Sequence, residues 1–154
     1  MSKTKEKNGF TLIELLVVIA IIGLLSTLAV IALSSAREEA RDQNRLSDLK
    51  QIQTALEIYF TENNQYPVAK EGVVLGGSQA QCIDSEEGFV RSGCENSLNK
   101  LPSDPGENNY IYRSENGETY TIQSRLEGQT GGFSAGRVLV TPSGIESAQE
   151  QQQQ

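Results

Sequence analysis

Only three groups of side chains in this sequence have the types and spacing to do chemistry. The 154 residues contain no histidine, and 13 lysines and arginines face 20 carboxylates. There is also no nucleophile motif and no glycine-rich loop that would cradle a phosphate. Nothing therefore assembles an activated base or nucleophile, and an enzyme is not expected. The three groups are Glu14 at the entrance of a long apolar run, the pair Cys82 and Cys94, and the carboxylates Asp84, Glu86 and Glu87 with Asp104 and Glu107 further on.

Glu14 needs the most explanation. From Leu15 to Ala36 there are 22 consecutive positions without a formal charge, which matches the roughly 20 residues a helix needs to cross about 30 Å of hydrocarbon. A secretory signal peptide would have a shorter apolar core, about 7 to 15 residues, closed by a small-x-small cleavage site. The stretch Ala32-Leu33-Ser34-Ser35-Ala36 is a weak version of such a site, and a signal core would not follow an ionisable residue. Lys3, Lys5 and Lys7 precede the run, whereas Arg37, Arg41 and Arg45 beyond it are offset by Glu38, Glu39 and Asp42. The charge bias puts the N-terminus on the cytoplasmic side. A carboxylate at the edge of a membrane helix is costly and normally pairs with something. If the chain were cut between Gly9 and Phe10, the new α-amino group, with an unperturbed pKa near ~8, would be a cation at the helix start. A neighbouring copy displaced along the helix axis would bring its Glu14 against that amine, and self-assembly would neutralise both charges.

The stretch Lys7-Asn8-Gly9-Phe10-Thr11-Leu12-Ile13-Glu14-Leu15-Leu16-Val17-Val18-Ile19-Ala20-Ile21-Ile22-Gly23 resembles the N-terminal signature of type IV pilins and of the pseudopilins of type II secretion systems. The resemblance implies that a prepilin peptidase cuts after Gly9 and that Phe10 is N-methylated. It also implies that Glu14 serves assembly by pairing with that amine in a neighbouring subunit. The implied partners are copies of the chain and minor pilins in a helical filament, together with the peptidase, an inner-membrane assembly platform and its ATPase. The implied location is the bacterial inner membrane, as a single-pass protein, and then an extracytoplasmic filament in the periplasm or at the cell surface. Many relatives carry a helix-kinking proline where this chain has Ile31, so a bend there is not carried over. Gly23 is a separate weak point, since glycine costs about 1 kcal/mol relative to alanine in a helix interior.

Residues 37 to 154 hold ten Lys or Arg against 18 Asp or Glu, a net charge of −8. That segment suffices for one small core. Its acidity argues against nucleic-acid binding, which needs a basic patch. Leu46, Leu49, Ile52 or Gln53, Leu56 and Phe60 recur at three- and four-residue spacing, with Ala55 and Tyr59 beside them. Arg45, Asp48, Lys50, Glu57 and Glu62 fall mostly off that stripe. With no Pro or Gly between Gly23 and Pro67, one helix from about Thr11 to about Glu62 is expected, near 80 Å long at 1.5 Å per residue. Asn63-Asn64-Gln65-Tyr66-Pro67 ends it, and this stretch is similar to the Asn/Gly-x-Tyr-Pro that closes the long helix in many pilins and pseudopilins. Tyr66 is expected to pack under the helix end.

From Val68 to Asn109 the chain is polar and glycine-rich, with Val73-Val74-Leu75 and Gly88-Phe89-Val90 as its only apolar runs. Something must hold so long an irregular segment, and a disulfide between Cys82 and Cys94 is expected. A metal site built on the two cysteines has no histidine to complete it. The acidic residues match no EF-hand spacing and read as a solvated surface. Major pseudopilins often have a calcium loop near the C-terminus; here Gly131-Gly132-Phe133-Ser134-Ala135-Gly136 lacks carboxylates, so that site is not carried over, and no cofactor or metal is expected. Strands are expected at 110–113 and 119–126 around a turn at Glu115-Asn116-Gly117. A third is expected at 137–141, stopped by Pro142-Ser143-Gly144. Tyr120, Ile122 and Leu126 share the face laid on the helix. The fold class expected is α+β and pilin-like, a long N-terminal helix on a small antiparallel sheet. The expected boundaries are 1–9 for a cleaved leader, 10–36 for the transmembrane and assembly half of the helix, 37–146 for the head with the rest of the helix, and 147–154 for a disordered tail. Self-assembly competes with one reading of another class, a single-pass anchored domain acting as a monomeric binding module.

Overall fold

The computed structural model describes residues 9–94 and 100–148. Among the described residues one helix, α1 (Leu12–Asn63), precedes seven strands, and the chain divides into two compact units, Met1–Arg37 and Glu38–Gln154. The expected tail residues from 149 onward, and the leader up to residue 8, lie outside the described residues.

In the first unit α1 covers none of its own apolar surface. Leu12 is 81% exposed, Ile31 66% and even Val18 45%. No proline interrupts the helix, and it runs unbroken through Gly23 and Ile31. The hydroxyls of Ser26 and Thr27 donate to the carbonyls of Ile22 and Leu24 at 2.7 and 2.8 Å, so neither presents an unsatisfied donor to an apolar surrounding. By length and composition this helix can cross a membrane.

In the second unit α1 buries one stripe: Arg45, Leu46, Leu49, Ile52, Ala55, Leu56 and Tyr59, with Asp42 one turn earlier. Ile52 takes the core position and Gln53 lies beside it, its amide donating to the Thr141 carbonyl at 3.3 Å. Phe60 is only partly buried, and Tyr59 does the packing expected of it. The helix stops at Asn64, whose left-handed φ of 53° turns the chain while its N–H donates to the Phe60 carbonyl at 2.7 Å, a helix-terminating turn that asparagine tolerates. Tyr66 folds back under that end, 4.6 Å from the Phe60 ring.

The stripe is covered by an antiparallel sheet in the order β1 (Ala69–Leu75), β4 (Tyr110–Ser114), β5 (Thr121–Leu126), β6 (Gly136–Thr141) and β7 (Gly144–Ser147). Tyr110, Tyr112, Tyr120, Ile122, Leu126, Val138 and Val140 line its inner face, each at most 1% exposed, as period-two alternation requires.

The sheet has five strands where sequence reasoning expects three. β1 carries Lys70, Glu71 and a bulge between Ala69 and Val73, so its sequence lacks alternation; it forms because Val73, Val74 and Leu75 find Tyr112, Ile111 and Tyr110. Pro142 and Ser143 turn the chain instead of ending the sheet, and β7 pairs back on β6 from Gly144 opposite Thr141 to Ser147 opposite Val138. Ser147, expected to open a disordered tail, is instead the last residue of β7, and Ala148 donates its N–H to the Arg137 carbonyl at 3.0 Å.

The β4–β5 connection is longer than the expected turn, and β5 starts at Thr121. Ser114 Oγ bridges it, donating to the Thr119 carbonyl and accepting the Gly117 N–H. Gly117, at φ 79°, turns its carbonyl to accept the Tyr66 N–H at 2.8 Å. A short second hairpin, β2 (Cys82–Asp84) with β3 (Gly88–Val90), is closed by the Cys82–Cys94 disulfide. Phe89 meets Tyr112 edge-on at 4.8 Å, and Asn63 Nδ2 donates to the Ser85 carbonyl at 3.0 Å. The hairpin thus caps the C-terminal end of the helix.

Leu56 is fully buried, so Leu56→Ala should destabilise the head by about 2 to 5 kcal/mol. All five tyrosines are at most 7% exposed, so near-UV circular dichroism during urea unfolding of the detergent-solubilised chain reports this directly; an unchanged midpoint would contradict the packing described.

Candidate functional site

Gly9 and Phe10 precede the helix in non-helical conformation, both exposed, and nothing lies within 4 Å of a side chain built at Gly9. The peptide between them is open to solvent. One residue on, the helix start is closed by the chain itself. Thr11 is the N-cap and Glu14 the third helical residue. The Glu14 N–H donates to Thr11 Oγ1 at 3.3 Å, and Glu14 Oε2 accepts the Thr11 N–H at 2.9 Å and its hydroxyl at 2.6 Å. This is a capping box. Its signal, Thr-x-x-Glu ahead of an apolar run, stands in the sequence. In a single chain Glu14 is thus hydrogen-bonded by its own helix start, with no cation beside it among the described residues.

A second polar centre lies at the start of the head. Arg45, expected off the buried stripe, is fully buried on it. Its guanidinium donates to Asp104 through Nε at 2.7 Å and Nη2 at 3.1 Å, and through Nη1 to Asp42 at 2.7 Å and Glu127 at 2.6 Å. Arg41 reaches the same Glu127 through Nε at 2.8 Å and through Nη2. Asp42 also accepts the backbone N–H groups of Glu127 and Gly128 at 3.0 and 2.7 Å. Helix, Asp104 loop and the end of β5 are thereby held together by one cation.

Asp104, expected in a solvated acidic surface, has its side chain only 1% exposed in this cluster. Burial alone would raise its pKa, but the Arg45 donors and the Gly106 N–H outweigh that and hold it below the usual carboxylate value. Hydrogen bonds from Arg41 and then Arg45 hold Glu127 down to about 2. The Asp104 hydrogen bonds, working against burial, push Arg45 well above the ordinary arginine value. Gly106 permits the approach, since a Cβ there would stand 2.8 Å from Arg45 Nη2. Among the described residues no set of His, Cys, Asp and Glu is arranged to hold a metal ion, and these three carboxylates converge on a guanidinium.

Residues 4–30 match the family described as the prokaryotic N-terminal methylation motif, and residues 32–137 match the type II secretion system protein G family. The chain belongs to the type II secretion system protein G family. It is 31% identical over 138 residues to the type II secretion system core protein G of Vibrio cholerae serotype O1, covering 88% of this chain and 92% of that protein. It is 30% identical over 129 residues to the protein of the same name from Aeromonas hydrophila, covering 82% and 88%, and 32% identical over 111 residues to that of Escherichia coli strain K12, covering 72% and 74%. No solved structure gives a significant match. Between pilus and pseudopilus, which the residues alone leave open, the family is that of the secretion pseudopilin, a structural subunit and not an enzyme.

The sequence-marked residues therefore fall in two places. Gly9, Phe10 and Glu14 cluster at the helix start of this protein G relative, while Cys82 and Cys94 close the β2–β3 hairpin. Sequence reasoning missed the Arg45 cluster. Its only trace is Asp42 and Arg45 at i, i+3 in phase with Leu49 and Ile52, because the partners Asp104 and Glu127 lie 59 and 82 positions from Arg45.

Removing the cation should strand Asp42 and Asp104, so Arg45→Ala is expected to destabilise the head by about 3 to 5 kcal/mol. Acid gives a second reading. Carboxylates whose folded pKa is depressed contribute stability above their unfolded values and lose it as pH falls through the folded ones. For Glu127 that window runs from 4.5 down to about 2. The urea midpoint of the wild-type chain should fall between pH 5 and pH 3. That of Arg45→Ala should fall less or rise, because protonation relieves its stranded carboxylates; parallel pH profiles would refute the cluster's role.

Proposed function

We propose that this chain is a pseudopilin stored in the inner membrane with its N-terminus in the cytoplasm. It is cut by a prepilin peptidase between Gly9 and Phe10, N-methylated at Phe10, and polymerised into the pseudopilus of a type II secretion system. Lys3, Lys5 and Lys7 ahead of the apolar run support that orientation. The observation that carries the reading is the conjunction at the helix start. An exposed Gly9–Phe10 junction stands just ahead of a lone carboxylate, on a helix whose apolar side chains from Leu12 to Leu33 are exposed.

In the stored monomer the capping box satisfies Glu14, which lowers the cost of holding a carboxylate at the membrane edge. In the filament the neighbour's Phe10 amine supplies what Thr11 cannot, a positive charge. The exposed side chains from Leu15 to Leu33 then pack against neighbouring helices instead of lipid. Membrane helices gain no hydrophobic driving force from this, so close packing and the Glu14 pair must supply the specificity. Residues 10–36 act as the anchor and assembly segment, and the head presents the outer surface. An assembly platform with its ATPase extracts the subunit, and copies of the chain with minor pilins complete the filament.

Mass spectrometry of the mature chain from membranes should find it beginning at N-methylated Phe10. An intact Met1 or Ser2 terminus, in cells with an active peptidase, would leave the monomeric anchored module as the better account. Glu14→Ala should leave membrane insertion intact and cut filament yield; filaments formed at wild-type yield would remove Glu14 from assembly.

A further inference from the structure

The outer face of the sheet carries two arginines directly opposite one another. Arg125 on β5 is the register partner of Arg137 on β6, a separation of about 5 Å between Cβ atoms, at which like charges destabilise a strand pair. Both are exposed, and neither forms an ion pair or a side-chain hydrogen bond among the described residues. Glu146, diagonal to Arg137 across β6 and β7, does not pair with it. The two line a shallow cleft with Ser134, Gly136 and Ser147. In a head of net charge −8, an unneutralised arginine pair is a place for an acidic partner.

The same head carries a matching feature at its other end. Glu86 and Glu87 are adjacent and exposed at the tip of the β2–β3 hairpin. Asp84 accepts both their backbone N–H groups, at 2.8 and 3.0 Å, which holds the loop in shape, and their own carboxylates form no ion pair among the described residues. Arg91 at the base of the hairpin makes no ion pair with them. The hairpin sits against Asn63 at the helix C-terminus, whereas Arg125 and Arg137 lie beside Glu127 and Gly128, which are bound to Asp42. From residue 42 to residue 63 of α1 is about 30 Å along the axis. The head is therefore polar along its helix, with a paired cation near the start and a paired anion at the far end. Of the carboxylates at the start, Asp42, Asp104 and Glu127 are engaged by Arg45, Glu127 also by Arg41, and Glu38 stands beside Gly128.

We propose that Arg125 and Arg137 of one copy dock Glu86 and Glu87 of the next copy along the filament. Unlike patches at opposite ends make a heterologous contact, which propagates without closing and builds open helical polymers. Two adjacent guanidiniums against two adjacent carboxylates also fix the rotation of one head on the next, since charge complementarity sets register and excludes other orientations. The proposal rests on the self-assembly reading above and adds where the heads touch.

The test uses the full chain in cells with its secretion machinery, reading sheared filament yield and, on the purified chain in detergent, the urea midpoint. Arg125→Glu with Arg137→Glu should lower filament yield by about tenfold or more, as should Glu86→Lys with Glu87→Lys, because each sets like charges face to face. Neither should move the urea midpoint, since all four side chains are on the surface. The four-fold variant, with both charges reversed, should regain most of the wild-type yield. Wild-type yield in either two-fold variant would overturn the contact. So would loss without recovery in the folded four-fold variant, the result expected if the arginines instead bind anionic lipid. A wild-type chain that forms no filaments would fail the self-assembly reading itself and take this contact with it.

Discussion

The Arg45 guanidinium enters the contact between helix and sheet without access to water, and three carboxylates from separate parts of the chain must come to it. An isolated ion of this kind would cost on the order of 20 kcal/mol by idealised solvation arguments, and several kcal/mol in a real protein. Asp42, Asp104 and Glu127 together supply the opposite charge. Hydrophobic burial of Leu49, Ile52 and Leu56 supplies most of the driving force but is not directional. Fork geometry on Asp104 is directional, and so are the two backbone N–H groups that Asp42 accepts from the end of β5. Together they select one axial position of the sheet on the helix. Leu126 and Tyr110 then fall opposite the stripe. Tyr110 adds a hydroxyl hydrogen bond to Asp48 at 2.8 Å, one turn further along.

The far end of the head is secured differently. The tyrosine and phenylalanine rings at 60, 66, 89, 112 and 120 form a continuous set of tilted, edge and stacked contacts between 4.6 and 5.7 Å. The disulfide ties the β2–β3 hairpin over them. Tyr112 donates to the Pro67 carbonyl at 2.7 Å, so the turn after the helix is held from within. An ionic cluster at one end and an aromatic, disulfide-braced cluster at the other leave the middle of the sheet to ordinary aliphatic packing.

At the helix start the same economy appears in Thr11 and Glu14. One carboxylate closes the capping box of a single chain and, in the proposed filament, answers the amine of a neighbour. A residue that is satisfied in both states need not be destabilising in either, which is a requirement for a subunit stored before it is used. Membership of the type II secretion system protein G family places this chemistry in a secretion machine.

The sequence by itself determined the N-terminal element, because everything that defines it is contiguous. The Gly9–Phe10 junction, the lone Glu14, 22 uncharged residues and an unbroken helical period are local features, and the helix ends where Asn64 and Pro67 end it. The Cys82–Cys94 pairing was legible for the same reason, two cysteines twelve positions apart with no competitor. The inner face of β5 could also be read, since period-two alternation lies within one strand. Which polar residues are interior depends instead on contacts between distant parts of the chain. Arg45 and Asp104 look like surface charges until residues 59 positions apart are brought together. β1 and β7 lack a strand's alternation and exist only because β4 and β6 offer free edges. Arg125 and Arg137 oppose each other only through the β5–β6 register. In each case the free energy comes from pairs distant along the chain, and a pattern read over ten or fifteen residues contains neither partner's position.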